Sequence, residues 1–163
     1  GDDVVLKAVK KGVSGPEAIE AGKRVVEAGI KLSLMVIIGL AGAEGSDRHA
    51  RETARAINEI KPNMLSALTL MLYRGSELLD QYEKGEFAPL SPQGIMLELH
   101  KIISLVELPP EGHCLFRSNH VSNYVQLAAT LPKDKDRLLG QIAQAADELG
   151  KWKDWDVYNN TRY

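Results

Sequence analysis

Apolar residues along this chain recur with two different periods, and the alternation of those periods lays out the elements. Val4, Val5, Leu6 and Val9 have near-helical spacing at the start. Ser14-Gly15-Pro16-Glu17 then has the form of a helix opening: Ser14 and Glu17 have capping-box spacing, and proline suits the first turn. Ile19, Val25 and Val26 give that helix a buried face, and Gly29 ends it. Leu32 to Ile38 is apolar apart from Ser33, the pattern of a strand buried on both faces. It runs into Gly39-Leu40-Ala41-Gly42, where glycines allow close backbone approach to a ligand. Ser46 or Asp47 is the expected cap of the next helix, with Ala50, Ala54, Ile57 and Ile60 as its stripe. Lys61-Pro62-Asn63 stops it.

A second apolar strand, Leu65 to Leu72, ends in Tyr73-Arg74-Gly75-Ser76, and a short helix carries Leu78, Leu79 and Tyr82. Ser91-Pro92 begins a strongly periodic helix with Ile95, Leu99, Ile102, Ile103 and Val106 on one face. Leu108 to Gly112 breaks it, and Cys114 to Arg117 reads as a short third strand followed by the polar run Ser118 to Asn123. A last helix, roughly Pro132 to Leu149, presents Leu138, Leu139, Ile142, Ala145, Ala146 and Leu149. The order is α/β with short connections, which predicts parallel strands joined by right-handed crossovers. In such sheets ligands sit at the carboxyl ends of the strands.

Composition narrows the function. The chain has 163 residues, 44% of them hydrophobic, enough for one domain with a real core. A formal net charge of −2 gives no electrostatic footprint for nucleic acid or an acidic membrane surface. Without an apolar run of spanning length or an opening signal peptide, a soluble cytoplasmic protein is expected. Gly1-Asp2-Asp3 leads straight into apolar sequence with no initiator Met, as expected of a chain that begins partway through a larger structure; a processed or added terminus explains it equally. The single cysteine, Cys114, rules out an internal disulfide and reads as a small buried residue. His113, Cys114 and His120 do not make a zinc site: neighbours on a strand point to opposite faces, and no fourth ligand has suitable spacing. His49 and His100 fall on helices and are expected to be solvated or capping, and Arg48, Arg51, Glu52 and Arg55 form a solvated charged face.

Val36-Ile37-Ile38-Gly39-Leu40-Ala41-Gly42, a helix, a strand and then Arg74-Gly75-Ser76-Glu77-Leu78 resemble the second half of a radical S-adenosylmethionine (SAM) enzyme. Val4 to Gly12 is similar to the segment after the fourth strand of that barrel. Phe116 to Tyr124, followed by Thr130 to Lys135, resembles the C-terminal signature of the Fe–S oxidoreductases, or coproporphyrinogen-oxidase-like proteins, of that superfamily. The resemblance implies a partial TIM-type barrel: residues 1–112 as the second half of a (β/α)₆ barrel and 113–150 as a C-terminal strand-helix extension; residues 151–163, a polar tail with Trp152, Trp155 and Tyr158 that is either docked by those aromatics or frayed, lie outside it.

By position in the motif, Ile37, Ile38 and Gly39 would meet the SAM adenine, with Leu72 and Arg74 at the edge of the same pocket. Ala41 departs from the family's common proline, and Glu44 falls one place after its usual acidic residue. Arg117, Ser118, Asn119, His120 and Asn123 have two readings. They could cap the loop and satisfy buried backbone. They could instead line the substrate mouth, Arg117 holding a carboxylate.

The resemblance also implies a [4Fe–4S] cluster held by three cysteines, and this chain has one cysteine and no such loop. It also lacks the earlier glycine-rich strand that would hold the methionine amino group. The chain alone is therefore expected to be inactive, its partner being the missing N-terminal half of the same polypeptide. The alternative is a non-catalytic half-barrel that binds or assembles, self-associating as a dimer through an unpaired strand edge.

Overall fold

A computed structural model describes residues 1–152; the predictions that concern Trp155, Tyr158 and the rest of the tail lie outside them. The elements run α1 (Asp3–Ala8), α2 (Gly15–Glu27), β1 (Ser33–Ile38), α3 (Gly42–Ile60), β2 (Met64–Thr69), α4 (Glu77–Glu83), α5 (Pro92–Leu105), β3 (Cys114–Ser118), β4 (Leu127–Leu131) and α6 (Lys135–Leu149). One four-stranded sheet has the order β1-β2-β3-β4, its first three strands parallel and β4 antiparallel to β3. The sheet is open, with β1 and β4 at its edges, and no closed barrel forms among the described residues. No helix among these residues is long and apolar enough to cross a membrane.

The parallel ladder puts Met35 opposite Ser66, and Ser66 opposite Arg117; the antiparallel one puts Arg117 opposite Ala128. Side chains alternate across it. Leu65, Ala67, Phe116, Ala129 and Leu131 are buried against α3, α5 and α6, and together they form one core with Ala54, Ile57, Leu99, Ile102, Leu138 and Ile142. The intervening positions face the other way. Met35 (69% exposed), Ile37 (39%) and Met64 (40%) are open, and Ser66, Leu115 and Arg117 are half-buried.

This corrects the expectation that the first strand is buried on both faces. Among the described residues β1 is an edge strand with helices on one side only, so its continuous apolar sequence leaves a greasy outer face.

Local signals explain most helix ends. Ser14 and Glu17 close the capping box, and the Ser91 hydroxyl accepts the Gly94 N–H to start α5. The expected Ser46 or Asp47 cap of α3 does not form. That helix begins four residues earlier than Ser46, at Gly42, and main-chain carbonyls serve its first turn: Gly42 N–H donates to Gly39 O at 3.0 Å and Ala43 N–H to Ala88 O at 2.7 Å.

β4 was not expected at all, and it takes up residues assigned to the approach to the last helix. That helix starts at Lys135 rather than Pro132. Just before it, Asp134 accepts the Thr130 N–H at 2.9 Å; that bond, with Arg137 beside it, holds the Asp134 carboxyl below the usual carboxylate range.

Cys114 is buried, as its composition suggests, and burial pushes its thiol up to about 11 from an ordinary value of 9.0. An unfolded chain would release that proton near 9.0 while the folded one keeps it, so the unfolded state binds fewer protons across this window and stability falls as pH rises. Urea unfolding at pH 8 and pH 10.5 should show a loss that Cys114→Ala lacks, on the order of 2 kcal/mol.

Candidate functional site

Because β1, β2 and β3 are parallel, their carboxyl ends and following loops gather at one end of the sheet. There the Gly39–Gly42 turn, the segment after Thr69 and the loop from Asn119 to Asn123 lie together, above the open face that carries Ile37, Ser66 and Arg117.

The glycine turn is held from below by a buried acid. Glu98, in the middle of α5, is 2% exposed and accepts three hydrogen bonds. Gly39 N–H donates to Oε1 at 2.9 Å, His49 Nδ1–H donates to the same oxygen at 2.9 Å, and the Ser46 hydroxyl donates to Oε2. A carboxylate removed from water costs several kcal/mol unless donors of this kind replace the solvent.

The network joins the end of β1, the first two turns of α3 and the centre of α5. It also corrects the expectation for His49, which is 6% exposed rather than solvated. Sequence reasoning missed both residues, although each carried a signal. Glu98 stands three residues after Ile95 and four before Ile102, inside the apolar stripe, and His49 precedes Thr53 and Ile57 at helical spacing.

Gly39 and Gly42 serve packing in this fold. Gly39 has φ +85°, and a Cβ there would lie 2.7 Å from Ile95 Cδ1; at Gly42, φ is +65° and a Cβ would meet the Ala88 carbonyl at 2.9 Å. Of the residues predicted to meet a cofactor, Ile37 alone presents its side chain to the open face. Ile38 is buried beneath the sheet, and Gly39 already spends its N–H on Glu98. Leu72 is buried in a small satellite core with Leu79, while Arg74 is exposed.

The polar segment after β3 divides in the same way. Ser118 is buried on the helix side, and Asn119 and His120 are exposed, His120 Nδ1 accepting the Ser122 N–H at 3.1 Å. Asn123 acts as a substitute peptide unit. The pairing of β2 with β3 runs from Met64 to Ser66, and beyond it the Asn123 side chain takes over: its Nδ2 donates to Ala67 O at 2.9 Å and its Oδ1 accepts Thr69 N–H at 2.8 Å. The loop-capping reading therefore describes Asn123, while Ser118 turns into the helix-side core. Arg117 remains on the open face, Nη1 donating to its own Phe116 carbonyl at 2.8 Å, and it has no acidic partner among the described residues. No group of three His, Cys, Asp or Glu among these residues could hold a metal ion.

Three substitutions test this geometry. Glu98→Ala strands the Gly39 N–H and the His49 ring and should cost about 3 kcal/mol in urea unfolding, with Ser46→Ala costing about 1 kcal/mol. Asn123→Leu leaves Ala67 O and Thr69 N–H unpaired and should cost about 2 kcal/mol, whereas a solvated loop asparagine would cost nearly nothing.

No family model matches this chain, and no curated protein matches it. Among solved structures it is similar to the archaeal Methanocaldococcus infernus Elp3 with its N-terminal residues 1–46 deleted, at a TM-score of 0.61 and 18% identity. The match covers 91% of this chain and 34% of that one, so the chain spans about a third of the length of its structural relative. At this identity the likeness is one of fold.

Proposed function

We propose that this chain is part of a radical SAM iron–sulfur oxidoreductase, the part that walls the SAM adenine and one side of a substrate chamber. The observation that carries the reading is the one-sided sheet. Three parallel strands bury one face under helices and leave the other, with its carboxyl-end loops, uncovered, in a fold similar to a third of Elp3, itself a radical SAM superfamily protein. An uncovered apolar sheet face is what remains when a barrel lining is seen without its other half.

The residues present do not fit the cluster. Cys114 is the only cysteine and is buried, so cluster ligands and the chemistry that depends on them belong to the missing N-terminal half, and this chain alone is inactive. When bound in the whole protein, SAM and the [4Fe–4S] cluster supply a reductively generated radical; this chain supplies shape and charge. Ile37 offers the adenine an apolar contact, with Ile38 and Gly39 contributing backbone and Leu72 and Arg74 closing the edge. Arg117, Asn119 and His120 are the side chains free to meet substrate, and Arg117, an unpaired guanidinium on an apolar face, suits an anionic group such as a carboxylate. Asn123 holds the loop that presents them, and Ser118 is buried beside it.

The test is calorimetry of the cluster-reconstituted protein isolated whole from its native source. SAM should bind, and Ile37→Glu should weaken it about tenfold without lowering the melting temperature, since Ile37 makes no core contact. Absence of SAM binding contradicts the reading.

A second reading, a non-catalytic assembly module, is favoured by one observation: the exposed Met35, Ile37 and Met64 on one face. It predicts a dimer of this chain in sedimentation, reduced to a monomer by Met35→Glu.

A further inference from the structure

One exposed ion pair joins two short helices that stand outside the main core. Among the described residues, neither α1 nor α4 contributes to that core. Both line a cavity of about 450 Å³, the size of a small-molecule site. Leu40 and Ala41 of the glycine turn, Arg48 of α3 and Phe87 close its other sides. The cavity thus adjoins the turn assigned to the SAM adenine, on residues that assignment does not use. Lys10, just past the end of α1, reaches Glu77 at the start of α4, its Nζ donating to the two carboxylate oxygens at 2.5 and 2.8 Å. Both side chains line the cavity and are 70% and 68% exposed, so the pair spans its solvent side.

The backbone is bent to make that reach. Lys10 has φ +55°, in the left-handed region that a long side chain enters at a cost. Two residues on, Gly12 has φ +74°, and a Cβ there would meet nothing within 4 Å. Gly12 meets a demand of the turn alone, whereas Lys10 keeps a side chain under the same demand and spends it on Glu77. The start of α1 is anchored differently: buried Asp2 accepts Arg48 Nε–H at 2.9 Å, and Asp3 accepts Gly15 N–H at 2.6 Å. On the other side, Gly75 and Gly85 bracket α4, both at positive φ with open space around them. The arrangement is that of two flaps, jointed at glycines and held together at the Lys10–Glu77 pair.

We propose that Lys10–Glu77 is a latch, and that α1 and α4 are flaps that part to admit an apolar group of a small molecule to the cavity beside the glycine turn. An exposed pair contributes little free energy, which suits a gate: it biases the closed form without locking it. Parting the flaps uncovers Val5, Leu40, Leu78 and Phe87 of the lining. Opening and closing then happen without disturbing the sheet, because the main core lies elsewhere. Which molecule passes rests on the reading of this chain as part of a radical SAM protein, but the coupling of the two flaps needs neither cofactor nor activity.

The test labels this chain, carrying Leu78→Cys in the cavity wall, with a neutral maleimide. Cys114 is buried and its thiol is pushed up to about 11, so it adds no fast background. Lys10→Asn removes the charge while easing the backbone, since asparagine tolerates the left-handed region. That change and Glu77→Gln should each speed labelling about threefold. The double reversal, Lys10→Glu with Glu77→Lys, should restore the original rate. Amide exchange, followed without the added thiol, should quicken in α1 and α4 together when either partner is replaced, with α5 and α6 unchanged. An idle lysine would instead make Lys10→Asn neutral or slower to label, because relieving the turn firms α1. Unchanged labelling and exchange, faster exchange confined to the altered helix, or a double reversal as fast as the single variants would each overturn the proposal. Coupled opening without SAM binding by the whole protein would uphold the latch and refute the radical SAM reading; SAM binding with uncoupled flaps would do the reverse.

Discussion

The buried Glu98 carboxylate is the constraint around which the site end of this fold is arranged. Its two oxygens must be answered by donors, and the donors come from the end of β1, from Ser46 and from His49. Meeting that requirement pins α3 to α5 and sets where the chain leaves the sheet. It explains why α3 starts at Gly42 without a side-chain cap: Ser46, the expected cap, is committed elsewhere, and carbonyls of Gly39 and Ala88 receive the first N–H groups. Gly39 is then a glycine because α5 lies against it and its φ is positive, so the turn that resembles a ligand loop is in the first place a packing joint.

The second organising fact is that, among the described residues, helices cover one face of the sheet only. β2, β3 and β4 alternate cleanly between core and open face, and the open face collects Met35, Ile37, Met64, Ser66 and Arg117. A surface so apolar, with an arginine that has no acidic partner among the described residues, is costly to leave in water and is suited to contact with something else. The carboxyl-end loops sit above it, and Asn123, pairing with β2 as a peptide would, keeps the last of them closed over the strand end. Structure and chemistry coincide here, because the residues that stabilise the loop also determine which side chains stay free to meet a ligand.

Much of this was legible in the residues. The capping box at Ser14 and Glu17, the Ser91 start of α5 and the stripe from Ile95 to Val106 are strong local signals, and the structure contains all three. The apolar run of β1 misled, since an edge strand and a central strand read alike until the neighbours are known. β4 was lost because Ala128 and Ala129 have weak strand character and Pro132 follows at once, although Leu127, Ala129 and Leu131 do alternate. The site divided along a physical line. Asn123 took the loop-capping role that its residue type favours, while Ser118, Ile38 and Leu72 turned toward core because period-2 alternation and a satellite cluster decide direction, which motif position does not. Glu98 and His49 went unread since a single charged residue in an apolar stripe looks like an interruption until its partners come from another helix.

The intact mass of the native polypeptide, taken from its source, tests the central claim most directly. The account predicts a chain well beyond these 163 residues, with a three-cysteine motif ahead of them and room for the rest of a barrel of about 250 residues. A mass equal to these residues alone would contradict it, leaving the open face to an assembly role.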